Sequence, residues 1–310
     1  LGRKQADRRL SIVLLRNVAP CFPSWHPKVG AALSATLLLT MNGTLTSPSI
    51  QANIPANILD RTFRLNPPKT FLRRILAKIT DVFEAMLARA SLIPDVPVYH
   101  NRHFPWAKEV EADWRKVRAE LDEVMKFRDR MPSFQDIVKE VGLIQKDDQW
   151  KTFFLRGIGM DCEENARRCP ETMRLLDKIP GIKTAFFSIL SPRKHIPPHR
   201  GPYVGVLRLH LGLIVPEPRE KVRIRVADQI CLWQEGQCLI FDDTYNHEVW
   251  NDTDSYRVVL FVDFARPMKA PFGWLNDRVL NMATLAPFIR EAKGKQAKWE
   301  KKMYADKAKG

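Results

Sequence analysis

The chain has 310 residues, 45% of them apolar and 27% charged, which excludes a disordered or fibrous class and predicts a packed core. Its 50 Lys and Arg against 35 Asp and Glu leave a net charge of +15, which suits an anionic partner such as phospholipid, lipopolysaccharide or nucleic acid. Five cysteines, an odd number with no CxxC spacing, argue against a disulfide framework and for a reducing, cytosolic setting.

Residues 1–60 mix Pro, Ser, Asn and small apolar residues without a period and read as a poorly ordered extension. Within them, the uncharged stretch 29–41 is about 13 residues long, below the roughly 20 that span a bilayer. Its size suits the apolar part of a signal peptide, but its basic flank is long and polar residues follow it.

A helical region is expected over 61–145. Asn66-Pro67-Pro68 signals a helix start, and an amphipathic helix over 70–90 follows from Phe71, Leu72, Ile75, Leu76, Ile79, Val82, Phe83, Met86 and Leu87. Its other face carries Lys69, Arg73, Arg74, Lys78 and Arg89, so it either packs on the main domain or lies on an anionic membrane surface. Pro94 and Pro97 end it. The spacing predicts a second helix over 106–127, with Val110, Trp114, Val117, Leu121 and Met125 on one face, and a short one over 134–141. Cys169-Pro170 opens a further helix that Pro180-Gly181 closes.

From 182 the pattern changes to short runs rich in Val, Ile, Leu and Phe: 184–190, 205–215, 222–226, 230–233, 238–241, 248–251 and 256–264. Turn signals separate them, including Pro197-Pro198, Pro216-Glu217-Pro218 and Glu235-Gly236. This spacing predicts a mainly β domain over 146–268, a sandwich or jelly roll with flanking helices, then a C-terminal helix and basic tail over 269–310. The tail and the basic segment 3–16 both feed the positive charge, and such tails are often simply solvated.

The β segment holds His195, His199, His210 and His247. His199 sits in Pro197-Pro198-His199-Arg200-Gly201-Pro202, where prolines stiffen the approach and Gly201 permits a tight turn. His247 follows 48 residues later, and Arg257 ten beyond that, heading the apolar run Val258, Val259, Leu260. Imidazoles suit iron, and two of them leave coordination positions open. A guanidinium inside an apolar strand needs an anion, because an unpaired buried charge is expensive. A dicarboxylate co-substrate would use both features, one end at the metal and the other on the fork of an arginine. Taken singly, each histidine also fits as a hydrogen-bonded core residue, His210 above all. His195 suits an exposed loop.

Several ordered motifs, Phe187-Ser188-Ile189-Leu190, Pro198-His199-Arg200-Gly201-Pro202, the run 207–216, Trp233-Gln234-Glu235-Gly236, Phe241-Asp242-Asp243 and His247-Glu248-Val249-Trp250-Asn251, resemble the aspartyl/asparaginyl β-hydroxylase family over about residues 145–267. The resemblance implies a double-stranded β-helix and an oxygenase that uses Fe(II), 2-oxoglutarate and O2, inserting oxygen into an unactivated C–H bond with release of succinate and CO2. It implies iron binding by His199 and His247. Arg257 and Ser188 match the residues that hold the far carboxylate of 2-oxoglutarate, Arg208 and His210 those at its near end, and Trp150 an aromatic position beside the pocket. Most oxygenases of this fold carry a metal-binding carboxylate two residues after the first histidine. Here Gly201 stands there, as the aspartyl/asparaginyl branch implies. Asp242 and Asp243 invite the missing role but suit a capped turn or support for the site.

The implied substrate is an Asp- or Asn-containing peptide or amino acid. The bacterial lipid A hydroxylases offer a second option, resembled in the helix opening at Cys169-Pro170-Glu171-Thr172, in the amphipathic helix and in Arg266-Pro267, though not at Gly201. The expected location is the cytoplasm, with peripheral attachment to the inner membrane under the lipid reading. A non-catalytic jelly-roll binding module is the contrasting class. No specific nucleic-acid partner is expected, because charge alone points that way.

Overall fold

The computed structural model describes residues 70–160 and 162–305, together with two short strands at 38–39 and 44–46, all within the unit formed by residues 37–310. The strands β1 (Leu38–Leu39) and β2 (Thr44–Thr46) pair with each other inside the span read as an extension. The rest of 1–60, most of the uncharged stretch 29–41 and the last five residues lie outside the described residues.

The β region is built from β3 (Val98–Tyr99), β4 (Trp150–Arg156), β5 (Ile182–Leu190), β6 (Lys194–His199), β7 (Val206–Ile214), β8 (Val222–Val226), β9 (Gln229–Leu232), β10 (Cys238–Phe241), β11 (His247–Asn251) and β12 (Arg257–Ala265). They form two six-stranded sheets, β3-β10-β7-β12-β5-β4 and β1-β2-β9-β8-β11-β6, with every paired neighbour antiparallel. From β5 to β12 the chain passes repeatedly between the sheets, which winds them into the double-stranded β-helix.

Two apolar layers hold this arrangement. Between the sheets lie Phe154, Phe186, Ile224, Trp233, Phe241, Val249 and Phe261. On the outer face of the first sheet, Phe187, Leu209, Leu211, Leu260 and Val262 pack under helices through Val117, Leu121 and Leu175. Phe186 and Phe187 thus enter different layers, as the period of two requires. With both faces covered, β12 is buried almost throughout, which is why its sequence runs apolar over 258–262 instead of alternating.

The helices are α1 (Phe71–Arg89), α2 (Ala107–Ala112), α3 (Trp114–Met125), α4 (Phe134–Ile137), α5 (Glu163–Arg168), α6 (Pro170–Leu176), α7 (Phe272–Ala283) and α8 (Pro287–Ala305). The helix expected over 106–127 is two, broken at Asp113, whose backbone leaves helical geometry while its carboxylate bridges Lys116 and Lys178. The one expected over 134–141 keeps a single α turn before a 3-10 segment. Strand β6 runs straight through Pro197-Pro198, read above as a turn. It is the edge of its sheet, where a missing N–H leaves no ladder bond broken.

Candidate active site

His199 ends β6 and His247 begins β11, and the two are cross-strand partners. Their rings lie 4.1 Å apart, centroid to centroid. Each Nδ1 is tied to the carbonyl two residues before it, His199 to Pro197 at 2.8 Å and His247 to Tyr245 at 3.0 Å. Such a bond assigns the proton to Nδ1 and leaves the Nε2 lone pair for an electrophile. Burial lowers both basicities, His199 to about 4 and His247 well below 6.5, with His199 adding to the effect on His247. Both rings are therefore neutral at pH 7, the form that binds a metal.

The facing sheet supplies the rest. On its inner face Arg257 opposes Leu190, Val259 opposes Ser188, and His210 and Arg208 stand opposite Phe261 and Asp263. One cavity is lined by all seven residues anticipated from the sequence: Trp150, Ser188, His199, Arg208, His210, His247 and Arg257. The convergence of positions up to 107 residues apart is a tertiary result.

Arg257 is 1% exposed, its guanidinium lies over Trp233 at 4.6 Å, and its Nε and Nη1 have no hydrogen-bond partner. Burial pulls its pKa from 12.5 to about 9. His210 is also buried, with neither ring nitrogen partnered, among Trp233, Phe241 and Phe261. Burial lowers its pKa, helped by Arg257 and Arg208. Ser188 Oγ accepts a hydrogen bond from Trp150 Nε1 at 2.9 Å, which leaves the hydroxyl proton to be donated elsewhere. A pocket with an unpaired guanidinium, an unpaired imidazole and a free hydroxyl donor is shaped for an anion.

Arg208 differs from this pattern. It forms a two-point contact with Asp263, at 2.9 and 3.3 Å, and its Nη2 lies 2.7 Å from Asp243 Oδ2. Burial opposes its charge, but Asp243 and Asp263 outweigh that and hold its pKa above the usual value. Asp242 is spent on structure. It accepts from the Thr244 backbone and hydroxyl and pairs with buried Arg266, which also donates to Val204 O and Tyr99. Asp243 is fully buried, and burial raises its pKa against the pull of Arg208.

Gly201 and Asp243 are coupled sterically. The Gly201 N–H donates to Asp243 O at 2.6 Å, and a Cβ at 201 would fall on the Asp243 carboxylate. Position 201 therefore has no room for the carboxylate usual two residues after the first histidine. Among the described residues no group of three or more His, Cys, Asp or Glu could share a metal. His195 lies away from the cavity, exposed, stacked on Trp250 and 2.8 Å from Glu248, on a strand and not in a loop. Ile224 and Phe261, which line the pocket, have no local signal that marks them apart from other core residues.

The profile of the aspartyl/asparaginyl β-hydroxylase family matches residues 111–267. Over 235 residues the chain is 50% identical to an ornithine lipid ester-linked acyl 2-hydroxylase of Rhizobium tropici, covering 76% of this chain and 84% of that protein. The chain belongs to the aspartyl/asparaginyl β-hydroxylase family. It is an enzyme of the hydroxylase type. The human aspartyl/asparaginyl β-hydroxylase is 36% identical over 169 residues, 53% of this hydroxylase but only 21% of the human protein. The human aspartate β-hydroxylase domain-containing protein 2 is 37% identical over 128 residues, 38% of this chain and 34% of that protein. Likeness across most of both chains thus occurs with the lipid-modifying relative.

Proposed function

We propose that this hydroxylase uses Fe(II), 2-oxoglutarate and O2 to hydroxylate an ester-linked acyl chain of an ornithine-type membrane lipid. The observation that carries the cofactor reading is Arg257: a buried, unpartnered guanidinium facing two neutral imidazoles across one cavity. His199 and His247 would hold the metal through Nε2. Iron so held, with O2, supplies oxidative decarboxylation of 2-oxoglutarate to succinate and CO2 and delivery of one oxygen atom to a C–H bond.

The protein's own residues do the rest. The carbonyls of Pro197 and Tyr245 fix the ring orientation of the ligands. Arg257 would take the far carboxylate of 2-oxoglutarate, and Ser188, its oxygen held by Trp150, would donate a second hydrogen bond. His210 would offer a ring N–H to the nearer end. Arg208 would flank that end while keeping Asp243 in place. Phe241, Phe261 and Ile196 would keep water from the reacting centre.

The substrate reading rests on the rhizobial relative, similar over most of both chains. The Asp/Asn reaction is the second reading, supported by shorter matches.

Mixing the protein with Fe(II) and 2-oxoglutarate without oxygen is expected to give a visible metal-to-ligand charge-transfer band. His247→Ala should abolish it, and wild-type behaviour in that variant would refute the ligand assignment. Mass spectrometry after turnover with ornithine lipid, lipid A and an Asp/Asn peptide should show one added oxygen on the lipid's ester-linked chain. An oxygen gained by the peptide alone would establish the second reading.

A further inference from the structure

Helix α1 has two opposed faces. Phe83, Leu87 and Ala88 face a small cluster with Tyr203, Val204, Met268 and Phe272. On the same inward side, Glu84 accepts from Arg200 at 3.0 Å. Phe71, Ile75, Ile79, Val82 and Met86 recur at three- and four-residue steps on the opposite side. These are exposed, Phe71 by 80%, Ile79 by 60% and Val82 by 71%. Exposed Arg74, Lys78 and Arg89 run along one border of this apolar stripe. Single exposed apolar residues are ordinary, but five in register along a 19-residue helix are not.

We infer that α1 docks the hydroxylase on an anionic bilayer, apolar stripe in the acyl boundary and the bordering cations on lipid headgroups. An aqueous face would leave the stripe unpaid for, and no described helix is long and apolar enough to cross a membrane, so the helix lies in the interface. Charge complementarity selects the partner: Arg74, Lys78 and Arg89 match anionic headgroups, and the net charge of +15 acts in the same sense. The helix's two acidic side chains, Asp81 and Glu84, are both partly buried, and Glu84 is held by Arg200.

The geometry also gives docking a purpose. Arg200 directly follows His199 and its guanidinium reaches Glu84 on the inward side of α1, so the docking helix is tied to the segment that carries a pocket histidine. This deepens the acyl-lipid reading by naming the surface from which that substrate is taken, and it is measured without turnover.

The test is co-sedimentation with vesicles of equal parts phosphatidylcholine and phosphatidylglycerol, against phosphatidylcholine alone, without iron or 2-oxoglutarate. The mixed vesicles should bind the protein, and added salt should weaken binding. The double variant Ile79→Glu with Val82→Glu should lose at least about tenfold in partition. Arg74→Gln and Lys78→Gln should each lose about fivefold. Leu143→Glu, on an exposed position outside α1, should change nothing. Wild-type partition in the stripe variants would overturn the inference. So would conversion of a dimer to a monomer by those variants with partition unchanged, because a second copy would then be what covers the stripe. Lipid hydroxylation in detergent micelles separates the two readings. Turnover without vesicle binding removes only the docking, and vesicle binding without turnover on any lipid removes only the proposed chemistry.

Discussion

Replacing Arg257 with Met should stabilise the ligand-free protein and abolish its response to 2-oxoglutarate. The guanidinium is 1% exposed, two of its nitrogens are unpartnered, and burial holds its pKa near 9 instead of 12.5. That gap corresponds to about 5 kcal/mol of penalty on the charged form at neutral pH. Met fills much of the same volume against Trp233 and carries no charge. Packing losses offset part of the gain, so a net stabilisation of about 1–4 kcal/mol is expected, as when buried ionic groups give way to apolar ones. At about 2–4 °C per kcal/mol for a large domain, the melting temperature should rise by at least about 2 °C. Differential scanning calorimetry, with and without 2-oxoglutarate, reads both effects. Saturating 2-oxoglutarate at about a hundred times its Kd should stabilise the wild type by about 2.7 kcal/mol and leave the variant unmoved. An Arg257→Met protein that melts below the wild type, or that still gains stability from 2-oxoglutarate, would show that the cation is satisfied by the fold itself.

Other expectations follow from the same geometry. Gly201→Ala should lose about 1–3 kcal/mol by overpacking against the Asp243 carboxylate, read by urea unfolding. Gly201→Asp should lower iron affinity instead of completing a carboxylate triad, and tighter iron binding in that variant would refute the steric account. Trp150→Phe removes the hydrogen bond to Ser188 and should cost about 1 kcal/mol in stability. In turnover it should raise KM for 2-oxoglutarate with kcat little changed, and a fall confined to kcat would contradict the assigned role. Acid should destabilise the metal-free protein. Burial holds His199, His210 and His247 below 6.5, so the unfolded chain takes up protons there that the folded one refuses. Asp243, raised by burial, works in the opposite sense and cancels about one of the three. Stability should therefore fall by roughly 3 kcal/mol per pH unit between about pH 6 and pH 5. His210→Phe should flatten that slope, and a urea midpoint that is level or rising as pH falls would refute the burial argument.

Local chemistry made much of this protein legible before any coordinates. Short runs rich in Val, Ile, Leu and Phe, set apart by turn residues, specify strands, because branched and aromatic side chains suit a pleated, buried surface. The three- and four-residue spacing in 71–87 likewise specifies α1, whose register follows from 3.6 residues per turn. The histidine and arginine motifs marked the pocket residues in order, and all seven line one cavity. Proline at an edge strand escaped the same reasoning. Whether Pro197 and Pro198 break a ladder depends on a neighbour strand that only the sheet order reveals. The break at Asp113 is of the same kind, since Lys178 comes from a distant segment.

What the sequence determined by itself is the kind of fold and the chemical types in its site. The tertiary structure decided which of those groups are already satisfied. Arg208 and Arg257 look alike in sequence, each in an apolar strand, yet one is paired with Asp243 and Asp263 and the other is left open. Gly201 looks like a turn residue until Asp243 is found in the space its side chain would need. The reason is physical: propensity and periodicity act between neighbours in the chain, whereas charge satisfaction and excluded volume act between neighbours in space.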